Sequence, residues 1–186
     1  MLKIMLIAIP VLVIVLVVIA ALQPSDFRIT RTATISAPPG IVFAQVNDLH
    51  KWEAWSPWAK MDPTAKVNFE GPPAGTGAGY TWAGNNKVGD GHMTITESQP
   101  NDRIRFKLEF RKPFEATNTA EFTFKAEGNQ TVVTWTMAGT NTFMFKLFGL
   151  FMNCDKMVGG QFEQGLADLN VVAKAAGKAQ PFNTPA

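Results

Sequence analysis

The chain has 186 residues, a formal net charge of +2, two histidines and one cysteine. Its basic residues are scattered, which excludes a nucleic-acid patch. One cysteine excludes an intrachain disulfide, and no Cys/His spacing suggests zinc or another metal. No cofactor-binding motif is present, and the length suits one membrane segment plus one domain.

Ile4 to Leu22 carries no charged or strongly polar residue. As a helix this run would measure about 28 Å at ~1.5 Å per residue, near the ~30 Å hydrocarbon core. The reading is a single-pass anchor over 1–23, with residues 4–22 in the membrane and Pro10 tolerated there. The competing reading is a signal peptide cleaved after Val18-Ile19-Ala20. Lys3 before the run, with Arg28 and Arg31 after it, places the domain on the non-cytoplasmic side. Residues 24–26 form a linker, 27–176 the domain and 177–186 a disordered tail.

Phe27 to Ser36 alternates threonine and arginine with apolar residues, the mark of a strand. Ala37-Pro38-Pro39-Gly40 ends it. A short helix follows over Ile41–Asn47 and a second over Asp48–Trp55, broken at Pro57 because the residue before proline avoids helical geometry. Lys66–Glu70 and Tyr80–Trp82 are short strands around a Gly/Pro-rich turn at 71–79. Gly89–Glu97 is the next strand. Arg103–Arg111 puts Ile104, Phe106, Leu108 and Phe110 on one face and five charges on the other. The charged face must be wet, so the sheet has one solvated and one buried face. Phe114–Lys125 repeats the pattern with Asn118 as a polar exception on the apolar face, and Thr131–Ala138 continues it. From Phe143 to Ala173 the apolar residues recur every three or four positions, an amphipathic helix kinked near Gly149 or Asn153. Gly159, Gly160 and Gly165 are costly there unless something approaches the backbone.

The architecture is therefore α+β. A curved antiparallel sheet of six to seven strands, with two short helices after the first, is covered by the long C-terminal helix. This order resembles the START-like, or SRPBCC, superfamily with its helix-grip fold, nearest the polyketide cyclase/dehydrase branch. Several stretches carry the resemblance: Trp52, Trp55-Ser56-Pro57-Trp58, Asp62-Pro63, Gly75 to Tyr80, Trp82 to Asn85 and Gly89-Asp90-Gly91. Met93-Thr94-Ile95, Thr131 to Trp135 and Phe162 to Leu166 complete it. The resemblance implies a cavity for an apolar ligand between sheet and helix.

Trp52, Trp55 and Trp58 place three large apolar bodies in seven residues and are expected to close that interior. Tyr80, Trp82, Met93, Phe106, Asn118, Phe122, Trp135, Met137 and Phe162 complete the expected lining. Adaptable methionines and a few polar groups suit a small-molecule site. A buried Asn118 needs a partner, either a ligand carbonyl or hydroxyl or the backbone. His50 and Glu53 are read as exposed, His92 as solvated and Cys154 as a buried inert thiol. The expected function is a membrane-anchored domain binding a hydrophobic small molecule or lipid. The alternatives are a cyclase/dehydrase-like enzyme in which Asn118, Tyr80 or Glu53 moves protons, and a docking module with an exposed tryptophan patch.

Overall fold

The computed structural model describes the backbone of residues 2–179 and the side chains of residues 9–179. Seven strands form one antiparallel sheet: β1 (Asp26–Ile35), β2 (Lys66–Glu70), β3 (Gly79–Ala83), β4 (Asp90–Gln99), β5 (Arg103–Lys112), β6 (Ala116–Glu127) and β7 (Gln130–Thr140). Their spatial order is β1-β7-β6-β5-β4-β3-β2. Strands β2 to β7 are a meander of short turns, and β1 closes onto β7 after the chain has crossed the inner face through its short helices. The charged residues of β5 lie on the outer face, where Arg105 meets Glu121 at 2.7 Å and Lys107 meets Glu109 at 2.8 Å. Such exposed pairs each contribute well under about 1 kcal/mol.

The helices are α1 (Leu2–Leu22), α2 (Pro39–Asn47), α3 (Pro57–Met61), α4 (Phe143–Gly149) and α5 (Cys154–Ala179), with a 3-10 turn over Leu49–Ala54. Three short helical pieces follow β1, where the sequence suggested two. Pro57 starts α3 rather than ending a helix, because a first-turn residue has no use for the N–H that proline lacks. Phe114 lies in the turn before β6, outside the strand expected to contain it. The expected kink is a full break, with α4 and α5 separated at 150–153. α5 runs through Ala179, and the remainder of the expected disordered tail lies outside the described residues.

The membrane-spanning expectation is corrected. Among the described residues no helix is long and apolar enough to cross a membrane. α1 also packs against α4 and buries Ala20 completely. A single-pass membrane localisation with the domain on the non-cytoplasmic side falls with it.

α5 grips the sheet over β1. Gly159 admits Arg31, whose guanidinium would lie 2.0 Å from any Cβ there, and Gly165 admits Trp135 and Pro57 at 2.9 and 3.0 Å. Nothing lies within 4 Å of Gly160, so close approach explains two of the three helical glycines. Arg31 occupies an inner-face position of β1 and binds Asp155 at 3.0 Å and Glu163 at 2.7 Å. The guanidinium holds the Asp155 carboxyl below the usual carboxylate range.

Candidate functional site

Antiparallel pairing sets partners side by side and preserves face from strand to strand, so the inner face reads as rows. One row is Arg31, Trp135, Phe122 and Ile104. The next is Ile29, Met137, Ala120, Phe106 and Ile95. A third crosses all seven strands: Phe27, Gly139, Asn118, Leu108, Met93, Tyr80 and Phe69. Beyond it stand Ala116, Phe110, Gly91, Trp82 and Val67.

The first two rows are filled. Trp135 lies flat between Phe162, at 4.1 Å and 5°, and Phe122, at 4.6 Å and 30°. Trp52, Trp55 and Trp58 meet Trp135 edge-on at 6.4, 5.8 and 5.5 Å. Phe106 meets Trp52 at 5.4 Å and Phe122 at 5.9 Å. The 3-10 turn and α3 deliver the three tryptophans from above. Trp52 and Trp55 each satisfy their indole by donating to a carbonyl of α2, Val46 at 2.9 Å and Gln45 at 3.2 Å. The Trp135 N–H is buried without a partner. Seven of the twelve residues expected to line a cavity therefore meet one another in a single aromatic cluster. A docking patch of exposed tryptophans is excluded, because Trp55 is fully buried and Trp52 is 6% exposed.

The last two rows are different. Tyr80, Trp82, Leu108 and Phe110, together with the neighbouring Met137 of the second row, are only half-buried although they point inward. Two glycines lower the floor. Trp82 folds over Gly91, where a Cβ would lie 2.4 Å from its ring, and holds that pose by donating to the Val88 carbonyl at 3.1 Å. The Asn118 side chain leans over Gly139, where a Cβ would lie 2.1 Å from its Oδ1. Asn118 is 8% exposed, its carbonyl oxygen is buried without a partner, and neither backbone nor side chain of the described residues bonds its amide group. Close packing around the Tyr80 phenol pushes its ionisation up from the ordinary value. Met93 is buried between Tyr80 and Leu108 in the third row. The cover over this end is slight. α4 buries no residue of its own and rests on Phe114 through Phe145 and Phe148 at 5.6 and 6.0 Å.

The structure thus divides the expected residues into two groups. Trp52, Trp55, Trp58, Phe106, Phe122, Trp135 and Phe162 form the filled end. Tyr80, Trp82, Met93, Asn118 and Met137 belong to the open end, joined by Leu108, Phe110, Gly91 and Gly139. The two glycines at inner-face positions are the sequence signal for that floor. Two cavities lie at the edges of this face, one touching its Phe69 and the other its Phe110 and Ala116. One of about 230 Å³ sits between Leu49, His50, Phe69 and the Gly71–Gly79 loop; the other, of about 410 Å³, lies at the β5–β6 turn beside Phe110 and Glu115.

The remaining candidates are dispersed. His50 is exposed, stacks on Phe69 at 3.9 Å and bonds Asp48. Glu53 is exposed. His92 lies on the outer face, 3.4 Å from Glu109 and 3.7 Å from Glu70, so it is paired and half-buried rather than freely solvated. Lys107 first, and His92 second, hold the Glu109 carboxyl below its usual range. Cys154 is exposed at the start of α5, not buried, because the break at 150–153 turns the apolar stripe away from the core. Among the described residues no group of three His, Cys, Asp or Glu could hold a metal.

Residues 26–174 match the family model described as polyketide cyclase / dehydrase and lipid transport. The chain belongs to that family. Solved structures share its helix-grip fold. One is protein CV1439 from Chromobacterium violaceum, at TM-score 0.57 and 15% identity over 82% of this chain and 99% of that one. CalU16 from Micromonospora echinospora follows at TM-score 0.51 and 16% identity over 84% and 96%. The Aha1 dimer from Colwellia psychrerythraea aligns at TM-score 0.57 and 14% identity over 81% and 98%. At such identities the likeness is one of fold. Comparison with curated proteins finds no match. The SRPBCC fold supports a hydrophobic ligand-binding domain.

Proposed function

We propose that the domain binds a hydrophobic small molecule or lipid at the open end of the inner face and releases it unchanged. The observation that carries this reading is the group of half-buried inward residues Tyr80, Trp82, Leu108, Phe110 and Met137 around an unpartnered Asn118 amide. An apolar floor with one or two polar groups is the composition of small-molecule sites. Binding is favoured over turnover by the character of the polar groups. A phenol of ordinary value 10.0 is already protonated at neutral pH, and burial raises the Tyr80 ionisation further. An amide is neither acid nor base, and Glu53 is exposed on the 3-10 turn. General acid–base catalysis needs a group that titrates near the working pH.

The test is binding of the neutral apolar dye N-phenylnaphthylamine to the full chain, with native mass spectrometry of any co-purified molecule. The wild type is expected to enhance dye emission. Leu108→Arg, which sets a charge on the floor, is expected to abolish enhancement while far-ultraviolet circular dichroism stays unchanged. Equal dye binding by the folded Leu108→Arg protein would overturn the assignment of the site.

A further inference from the structure

The polar character of the open end restricts the ligand further than its apolar lining does. This step rests on the binding reading above. We propose that the site selects neutral ligands bearing a ketone, ester or hydroxyl oxygen and rejects carboxylates, with the Asn118 amide N–H as the positioning donor.

The orientation of the amide follows from its surroundings. Oδ1 is sealed against Gly139, where the glycine Cα–H takes the place of a side chain. A carbonyl oxygen accepts weakly from a Cα–H, whereas an NH₂ group turned there would face a C–H it cannot use. The Nδ2 group is therefore turned away from Gly139. It makes no hydrogen bond to any described residue, and unlike Oδ1 it is not sealed from solvent. A ligand oxygen can replace solvent at this donor and gain a hydrogen bond in apolar surroundings, worth about 1 kcal/mol.

Charge decides which oxygen. In the four rows of the inner face the only charged side chain is Arg31, already held by two carboxylates, Asp155 and Glu163. That cluster carries one positive and two negative charges, so it offers an incoming anion no counterion. A carboxylate entering the apolar trough would lose its hydration against a single neutral donor, and unpaired burial of an ion is prohibitive compared with burial of a ketone. Neutral oxygen pays far less and receives the same hydrogen bond.

The experiment is displacement of N-phenylnaphthylamine from the full chain, at a pH where acids are ionised, by three chain-matched competitors: decyl methyl ketone, dodecanol and dodecanoate. The ketone and the alcohol are expected to compete at least about tenfold more tightly than dodecanoate. Asn118→Leu, close in volume, is expected to weaken the ketone about fivefold, the worth of one hydrogen bond. Gly139→Ala should act in the same direction by driving a Cβ into Oδ1 and rotating the amide. Dodecanoate binding as tightly as the ketone would overturn the proposal, as would an unchanged ketone affinity in both variants. In those outcomes the dye still reports a hydrophobic site, so the binding reading survives. A folded wild type that binds neither dye nor competitor overturns both.

Discussion

The two ends of the inner face share strands, parity and aromatic composition, yet one is solid and the other is open. At the filled end, Trp135 is sandwiched by Phe162 and Phe122, while Trp52, Trp55 and Trp58 descend from the 3-10 turn and α3 to close every gap. At the open end, the side chains that would fill the space are laid flat over Gly91 and Gly139, and α4 contributes no buried residue. The difference teaches that an aromatic strand face becomes closed core or stays half-buried according to what descends on it. The strand pattern is the same in both.

The comparison is most sharply broken by truncating one ring at each end. Phe122→Ala removes a fully buried ring and is expected to cost about 3–5 kcal/mol in denaturant unfolding. Leu108→Ala, half-buried at the open end, is expected to cost under about 2 kcal/mol. Equal costs would mean that the open end is packed as tightly as the other.

The helix glycines sharpen it next. Gly165→Ala forces a Cβ to within 2.9 Å of Trp135 and 3.0 Å of Pro57, with an expected loss of about 1–3 kcal/mol. Gly160→Ala meets nothing and should gain up to about 1 kcal/mol from helix propensity. Thermal melts of the two variants should move in opposite directions.

A smaller effect isolates the open end, because Tyr80 is the only tyrosine in the chain. Its ionisation is raised in the folded state by burial, so the folded form holds a proton that the unfolded form releases near the usual phenol value of 10.0. That stability is fully present below pH ~10 and is lost as pH rises towards the folded value. Tyrosinate absorbance should therefore appear only at strongly alkaline pH, and later still with a neutral ligand bound. Ordinary titration near 10 would show a solvated phenol.

At the acid end, Asp62 is held below its usual range chiefly by the Thr64 hydroxyl, then by the Asn85 N–H. Its contribution is present above about pH 4 and lost as pH falls through the depressed folded value. Asp62→Asn should flatten the acid limb of the unfolding curve without altering dye binding.

Much of this was legible in the chain. The alternation of charge with Ile, Phe and Leu over 103–111 dictated a strand with one wet face, since five charges cannot be buried unpaired. The change to a three-to-four repeat after Gly139 dictated a covering helix, and the turn residues marked the meander. The twelve residues named for a cavity lining lie on the inner face or on the elements covering it, but seven of them pack against one another in one aromatic cluster. The same local signals erred where neighbours overrode them. Pro57 was read as a stop although it also suits a first turn, and Arg31 gave no sign that two α5 carboxylates awaited it. The apolar N-terminal run suggested a bilayer, whereas among the described residues no helix is long and apolar enough to cross one, and α1 docks on α4. Periodicity assigns a side chain to a face but is silent about what lies opposite. Only the tertiary structure, by setting three tryptophans and α5 over one end and leaving the other half-buried, decided which part of that face is closed core.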